Sequence, residues 1–83
     1  MWVKPRDHKL VGESLATVRK RAGITQQELA KRLRKPQSFV SSFESGQRRI
    51  DLLEFFLIVE ALGADPRKTF SDIATRRRAR RNL

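Results

Sequence analysis

Helix punctuation recurs along this chain at intervals that leave room only for short helices. Gly23, Gly46 and Gly63 each follow a segment with apolar residues at helical spacing, and Thr25, Pro36, Asp51 and Asp65 each precede one. A glycine closes a helix because, lacking Cβ, it adopts the left-handed conformation at little cost; Thr or Asp opens one by accepting a hydrogen bond from the first turn. Two of the starts are complete capping boxes, Thr25 with Glu28 and Asp51 with Glu54. Each is bracketed by an apolar pair, Ile24 with Leu29 and Ile50 with Phe55, at the spacing of a hydrophobic staple.

These signals predict four or five helices and no sheet, since no useful run of β-alternation occurs. Gly12 is expected to open a first helix carrying Val11, Leu15, Val18 and Ala22, ended by Gly23. A second starts at about Gln26 and turns Leu29, Ala30 and Leu33 inward. Proline is tolerated in the first helical turn, so a third spans about Pro36–Glu44 and buries Val40 and Phe43. A fourth follows Asp51 and is apolar nearly all round (Leu52, Leu53, Phe55, Phe56, Ile58, Val59, Ala61, Leu62), the pattern of a buried helix. Asp65-Pro66 starts a fifth, with Phe70, Ile73 and Ala74 as its apolar positions.

Composition narrows the function. A chain of 83 residues supports one domain. With no cysteine and only His8, it offers no disulfide framework, thiolate nucleophile or metal cluster. No apolar run approaches the length of a membrane span, and residues 1–10 lack the apolar core of a secretory signal. Neither a glycine-rich phosphate loop nor a His or Cys partner for Glu13, Glu28, Glu44 or Glu60 is present, so an enzyme is disfavoured. The expectation is a small, soluble, intracellular domain without cofactor or metal. Its formal net charge of +10 makes nucleic acid the first partner to consider.

That charge is unevenly placed. Residues 19–49 hold nine Lys/Arg against Glu28 and Glu44, a net of +7. Residues 50–65 hold only acids (Asp51, Glu54, Glu60, Asp65), a net of −4, and residues 76–83 hold five arginines and no acid. The division expected is a folded domain over 1–75 and an arginine-rich tail over 76–83. Three readings of the tail are open: a disordered phosphate-binding arm, an extension of the fifth helix, or a site for a protein or second DNA segment. Trp2, Lys4 and Arg6 make an N-terminal arm that either lies on DNA or lids the core.

Two short helices joined by a tight turn, the second of them polar, form a helix-turn-helix over about residues 25–45. Ala30 supplies the small residue where the pair crosses, and Val40 and Phe43 pin the second helix from beneath. Its outward face carries Gln37, Ser38, Ser41 and Ser42. Gln pairs bidentately with adenine and Ser bonds several base edges, so this face suits base readout in the major groove. Simple solvation is the other reading, although Glu and Lys would then be more usual.

Residues 11–70 resemble the Cro/repressor-type, or XRE-type, helix-turn-helix family. The matching strings are VGESL (11–15), RKRAGITQQELA (19–30), QSFVSSFESG (37–46) and ALG (61–63). The resemblance implies an all-α bundle of about five helices, the lambda repressor-like DNA-binding domain, often dimeric on palindromic operators. It implies base contacts from Gln37, Ser38 and Ser42, with Ser41 close by. It also implies a phosphate contact and a bracing role for Gln26, a structural role for Glu44, and a backbone-approaching loop of Ser45, Gln47, Arg48 and Arg49. The chain departs from the family at the turn, where Arg34-Lys35 replaces the usual Gly and apolar residue. Either the turn differs, or Arg34 accepts a left-handed strain of about 1–2 kcal/mol and joins Lys35 in contacting phosphate. Phe39 is larger than usual there and either packs sideways on helix four or touches a thymine methyl.

The function expected is therefore a transcriptional regulator that reads double-stranded DNA with helix three, in the cytoplasm of a bacterium or on phage DNA. A homodimer would use helices four and five, through Phe56, Val59 or Glu60 with Phe70 and Ile73, unless those residues merely close the monomer core. A DNA-binding antitoxin and a non-specific nucleoid- or RNA-binding protein are the rival readings.

Overall fold

The computed structural model describes residues 5–81, arranged as five α-helices with no strand among them. The helices are α1 (Pro5–Arg21), α2 (Gln26–Leu33), α3 (Gln37–Glu44), α4 (Leu52–Ala61) and α5 (Pro66–Arg81). Both capping boxes form as expected: Thr25 Oγ1 and Asp51 Oδ1 accept from the Glu28 and Glu54 amides, and each glutamate reaches back to its cap residue's N–H. Pro36 is the N-cap of α3 rather than its first residue, with extended backbone (φ −66°, ψ 155°).

The first helix starts seven residues before Gly12, which is interior to it rather than its opener. The reason for that glycine is a contact between helices. A Cβ built there would lie 2.1 Å from the Phe43 carbonyl oxygen and 2.7 Å from that of Glu44, so α1 rests directly on the backbone at the end of α3. Trp2 and Lys4 of the expected arm lie outside the described residues; Arg6 is on the first turns of α1 and exposed.

One core joins the elements. Leu15 of α1, Leu29 of α2, Val40 and Phe43 of α3, and Ile58 and Val59 of α4 are buried essentially completely. α3 packs on α1 and α2, while α4 and α5 close the far side against α2 and α1. Burying side chains of this size contributes about 1.5–3 kcal/mol each, which is what holds helices too short to be stable alone.

Three apolar expectations fail. α4 is not buried all round: Leu52, Leu53, Phe56 and Leu57 are exposed, Leu53 to 72%. Only Phe55, Ile58, Val59 and the following Leu62 enter the core. α4 packs on α2 and α5, and no described helix covers its outer face. On α5 the residue buried is Thr69, while Phe70 is 60% exposed, Ala74 is exposed and Ile73 is half-buried. Ala22, at the end of α1, is also exposed. The arginine run of the tail is helical through Arg81.

Candidate nucleic-acid interface

Arg34 decides the geometry of the turn. It sits at φ 56°, ψ 43°, the only positive-φ residue other than glycine among those described. Its N–H bonds the Lys31 carbonyl (3.1 Å), and the Lys35 N–H bonds the Ala30 carbonyl (2.9 Å). This is the same pair of bonds that ends α1 at Gly23 and α4 at Gly63. The turn is therefore the left-handed one despite the arginine, and it sends Arg34 and Lys35 outward, both exposed.

The turn lays α3 across α2 with Val40 and Phe43 underneath. Gln37, Ser38 and Ser41 are exposed and Ser42 is half-buried, so the four expected readout residues share the outer surface. Ser41 and Ser45 hydroxyls donate to the carbonyls of Ser38 and Ser42 (3.2 and 3.1 Å), which keeps both side chains short against the helix. The face is uncharged, and its acid neighbour Glu44 is turned inward.

Glu44 organises the motif. Arg19 Nε donates to Glu44 Oε2 at 2.7 Å and Arg19 Nη2 to Oε1 at 3.0 Å, while Nη1 donates to the Ile24 carbonyl at 2.8 Å. Gln26 Nε2 also donates to Glu44 Oε1 (2.9 Å), and Gln37 Nε2 donates to Gln26 Oε1 at 3.4 Å. A buried pair thus continues through one amide to the first residue of the recognition helix. The hydrogen bonds it donates to Glu44 hold the Arg19 guanidinium above its ordinary pKa, against the opposing effect of burial. With both charges satisfied, the carboxylate presents no net repulsion to a phosphate. Arg19 was missed as a functional residue by sequence reasoning. A signal existed, since it lies four residues from Leu15 on the inward face of α1, where a charge demands a partner.

The loop after α3 carries Ser45, Gln47, Arg48 and Arg49, all exposed. Arg48 is already engaged. Its Nη1 and Nη2 donate to Glu54 Oε1 and Oε2 (3.1 and 2.8 Å), Nη1 also reaches the Arg49 carbonyl, and its guanidinium lies 4.6 Å over the Phe39 ring centroid. Those hydrogen bonds, then that from the Asp51 N–H, hold the Glu54 carboxyl below the usual range. Phe39 meets Phe43 edge-on at 5.6 Å and lines a small depression with Leu33, Leu57 and Ile58, so it packs toward α4. Lys35 Nζ lies 5.6 Å from the Phe39 ring centroid, and Arg34 and Arg49 stand exposed beside α3.

A helix-turn-helix family model matches residues 15–68, spanning both motif helices and the helices that buttress them. The chain belongs to the XRE-type helix-turn-helix family of DNA-binding transcriptional regulators. An XRE-family like protein from Pseudomonas syringae is 40% identical to this regulator with a TM-score of 0.76, over 84% of this chain and 85% of that one. The restriction-modification controller protein C.AhdI from Aeromonas hydrophila is 30% identical with a TM-score of 0.71, over 77% and 97%. The uncharacterized HTH-type transcriptional regulator y4dJ of Sinorhizobium fredii is 36% identical over 55 residues, 66% of this chain and 71% of the relative. Among the described residues, no helix is long and apolar enough to cross a membrane and no cluster of metal-ligating side chains occurs.

Proposed function

We propose that this regulator reads a specific duplex sequence by seating α3 in the major groove, and does so as a homodimer on a palindromic site. The observation that carries the reading is the chain of contacts from the Arg19–Glu44 pair through Gln26 to Gln37. It favours one placement of the first readout residue before DNA arrives, so less side-chain entropy is lost on binding. Gln37, Ser38, Ser41 and Ser42 supply choice of sequence; Arg34, Lys35 and Arg49, with Gln26, Ser45 and Gln47, supply phosphate contacts and most of the affinity. Arg48 contributes chiefly by holding the loop and Phe39 in place, because its guanidinium is spent on Glu54.

Dimerisation is supported by the uncovered apolar face of α4 and its neighbour Phe70. A patch of this kind on a small domain marks an interface. Val59 is fully buried and drops out of the expected set, while Phe56, Glu60 and Phe70 stay accessible and Leu53 and Leu57 join them. Two copies would set their recognition helices about 34 Å apart, one turn of duplex.

Gln37→Ala tests the readout. The expected result is a loss of about 1–3 kcal/mol on a preferred site and little on random duplex. Equal losses on both would refute it.

A further inference from the structure

Helix α5 carries seven basic residues against one acid, Asp72. Two of its arginines are fastened to α1: Arg80 Nη2 donates to Glu13 Oε2 at 2.9 Å, and Arg76 Nη1 to Ser14 Oγ at 3.3 Å. Arg77 and Arg78 are exposed and flank a shallow groove with Ser71, Ala74 and Thr75, side chains short enough to let a nucleic-acid backbone come close. Glu13, the anchor of Arg80, also borders a second groove whose other walls include Lys20, Gln26, Ser41 and Glu44. Arg76 and Arg80 thus hold the end of α5 on α1 and leave Arg77 and Arg78 on its free sides.

Such crowding of like charge opposes the fold. Arg76 and Arg80 stand four residues apart, and Arg77 and Arg78 are neighbours. The negative end of the helix dipole and the Glu13 contact offset this in part. What remains is a positive field on a rigid helix, complementary to a polyanion. A single strand would need aromatic platforms among these cations, and no aromatic residue lies between Ser71 and Arg81. We propose that α5 is a second backbone-binding element, in which Arg77 and Arg78 contact duplex phosphates flanking the site, lengthening the footprint beyond that of the helix-turn-helix. This rests on the reading of α3 as the groove element.

The test is the full chain carrying Arg77→Gln and Arg78→Gln, on duplexes that the unmodified protein selects from a random pool. We expect the slope of log affinity against log salt to fall by about two units, at about 0.9 per phosphate contact. The loss should be equal on selected and random duplex, with the outer edge of the hydroxyl-radical footprint gone. Arg77→Lys with Arg78→Lys should retain the slope. An unchanged slope and footprint would overturn the proposal while a selective Gln37→Ala defect left the α3 reading standing. A greater loss on single-stranded RNA than on duplex would overturn it in favour of an RNA site. A lowered slope with an indiscriminate Gln37→Ala variant would instead refute the α3 reading and leave α5 as the duplex-binding element.

Discussion

Replacing Arg34 by glycine should stabilise this protein. The residue holds φ 56°, ψ 43° in the bend between the two motif helices, where three other turns of the chain have glycine. A side chain in that conformation costs roughly 1–2 kcal/mol, because Cβ crowds the following carbonyl. Glycine removes the clash and returns some of the gain through its freer unfolded chain, leaving a net of about 1 kcal/mol. The two backbone hydrogen bonds that end α2 are made by N–H groups that survive the change. For a domain this small, such a gain raises Tm by about 4–8 °C. Thermal and urea denaturation followed by circular dichroism would measure it, with Arg34→Ala as the control. Alanine deletes the same charge but retains Cβ, so it should stay near the unmodified protein, while both variants lose the same affinity for DNA. If the glycine and alanine variants are equally stable, the left-handed strain assigned to Arg34 is wrong.

Other consequences follow from the buried pair and the loop. Glu44→Gln leaves the Arg19 guanidinium buried without its counter-charge and should cost about 3–5 kcal/mol in urea denaturation; a cost below about 1 kcal/mol would mean the pair is not holding α1 to α3. Arg48 keeps the Glu54 carboxyl below its ordinary range. A carboxyl lowered on folding contributes stability that is complete above the unfolded value, about 4.3 for glutamate, and is lost as pH falls through the folded one. An acid titration of stability should therefore be shallower for Glu54→Gln than for the unmodified chain over that range, and coincident curves would contradict the ion pair.

The features legible in the sequence are those set within a few residues. Thr25 with Glu28 and Asp51 with Glu54 announce their helix starts because a cap and its third residue close a local ring. The outer face of α3 was legible for a related reason: Val40 and Phe43 define the inside of a short helix, which leaves Gln37, Ser38 and Ser41 outside.

What escaped depends on contacts distant in sequence. Gly12 looks like a helix opener until the Phe43 carbonyl is placed against it. Leu52 and Leu53 look like core because hydrophobicity alone does not say whether a partner surface exists. The pairing of Arg48 with Glu54 and Phe39 is hidden because the loop that brings them together has no local signature. The arginine run leaves a disordered arm, an extension of the fifth helix and a binding site all open, because its anchors, Glu13 and Ser14, lie more than sixty residues earlier.

Selection of bound sequences from a random duplex pool tests the central claim most directly. A dimer that reads bases through Gln37, Ser38, Ser41 and Ser42 should recover a palindrome whose half-sites are centred about one helical turn apart. Recovery of duplexes with no common sequence would contradict readout by α3 and leave a protein that binds DNA by charge alone.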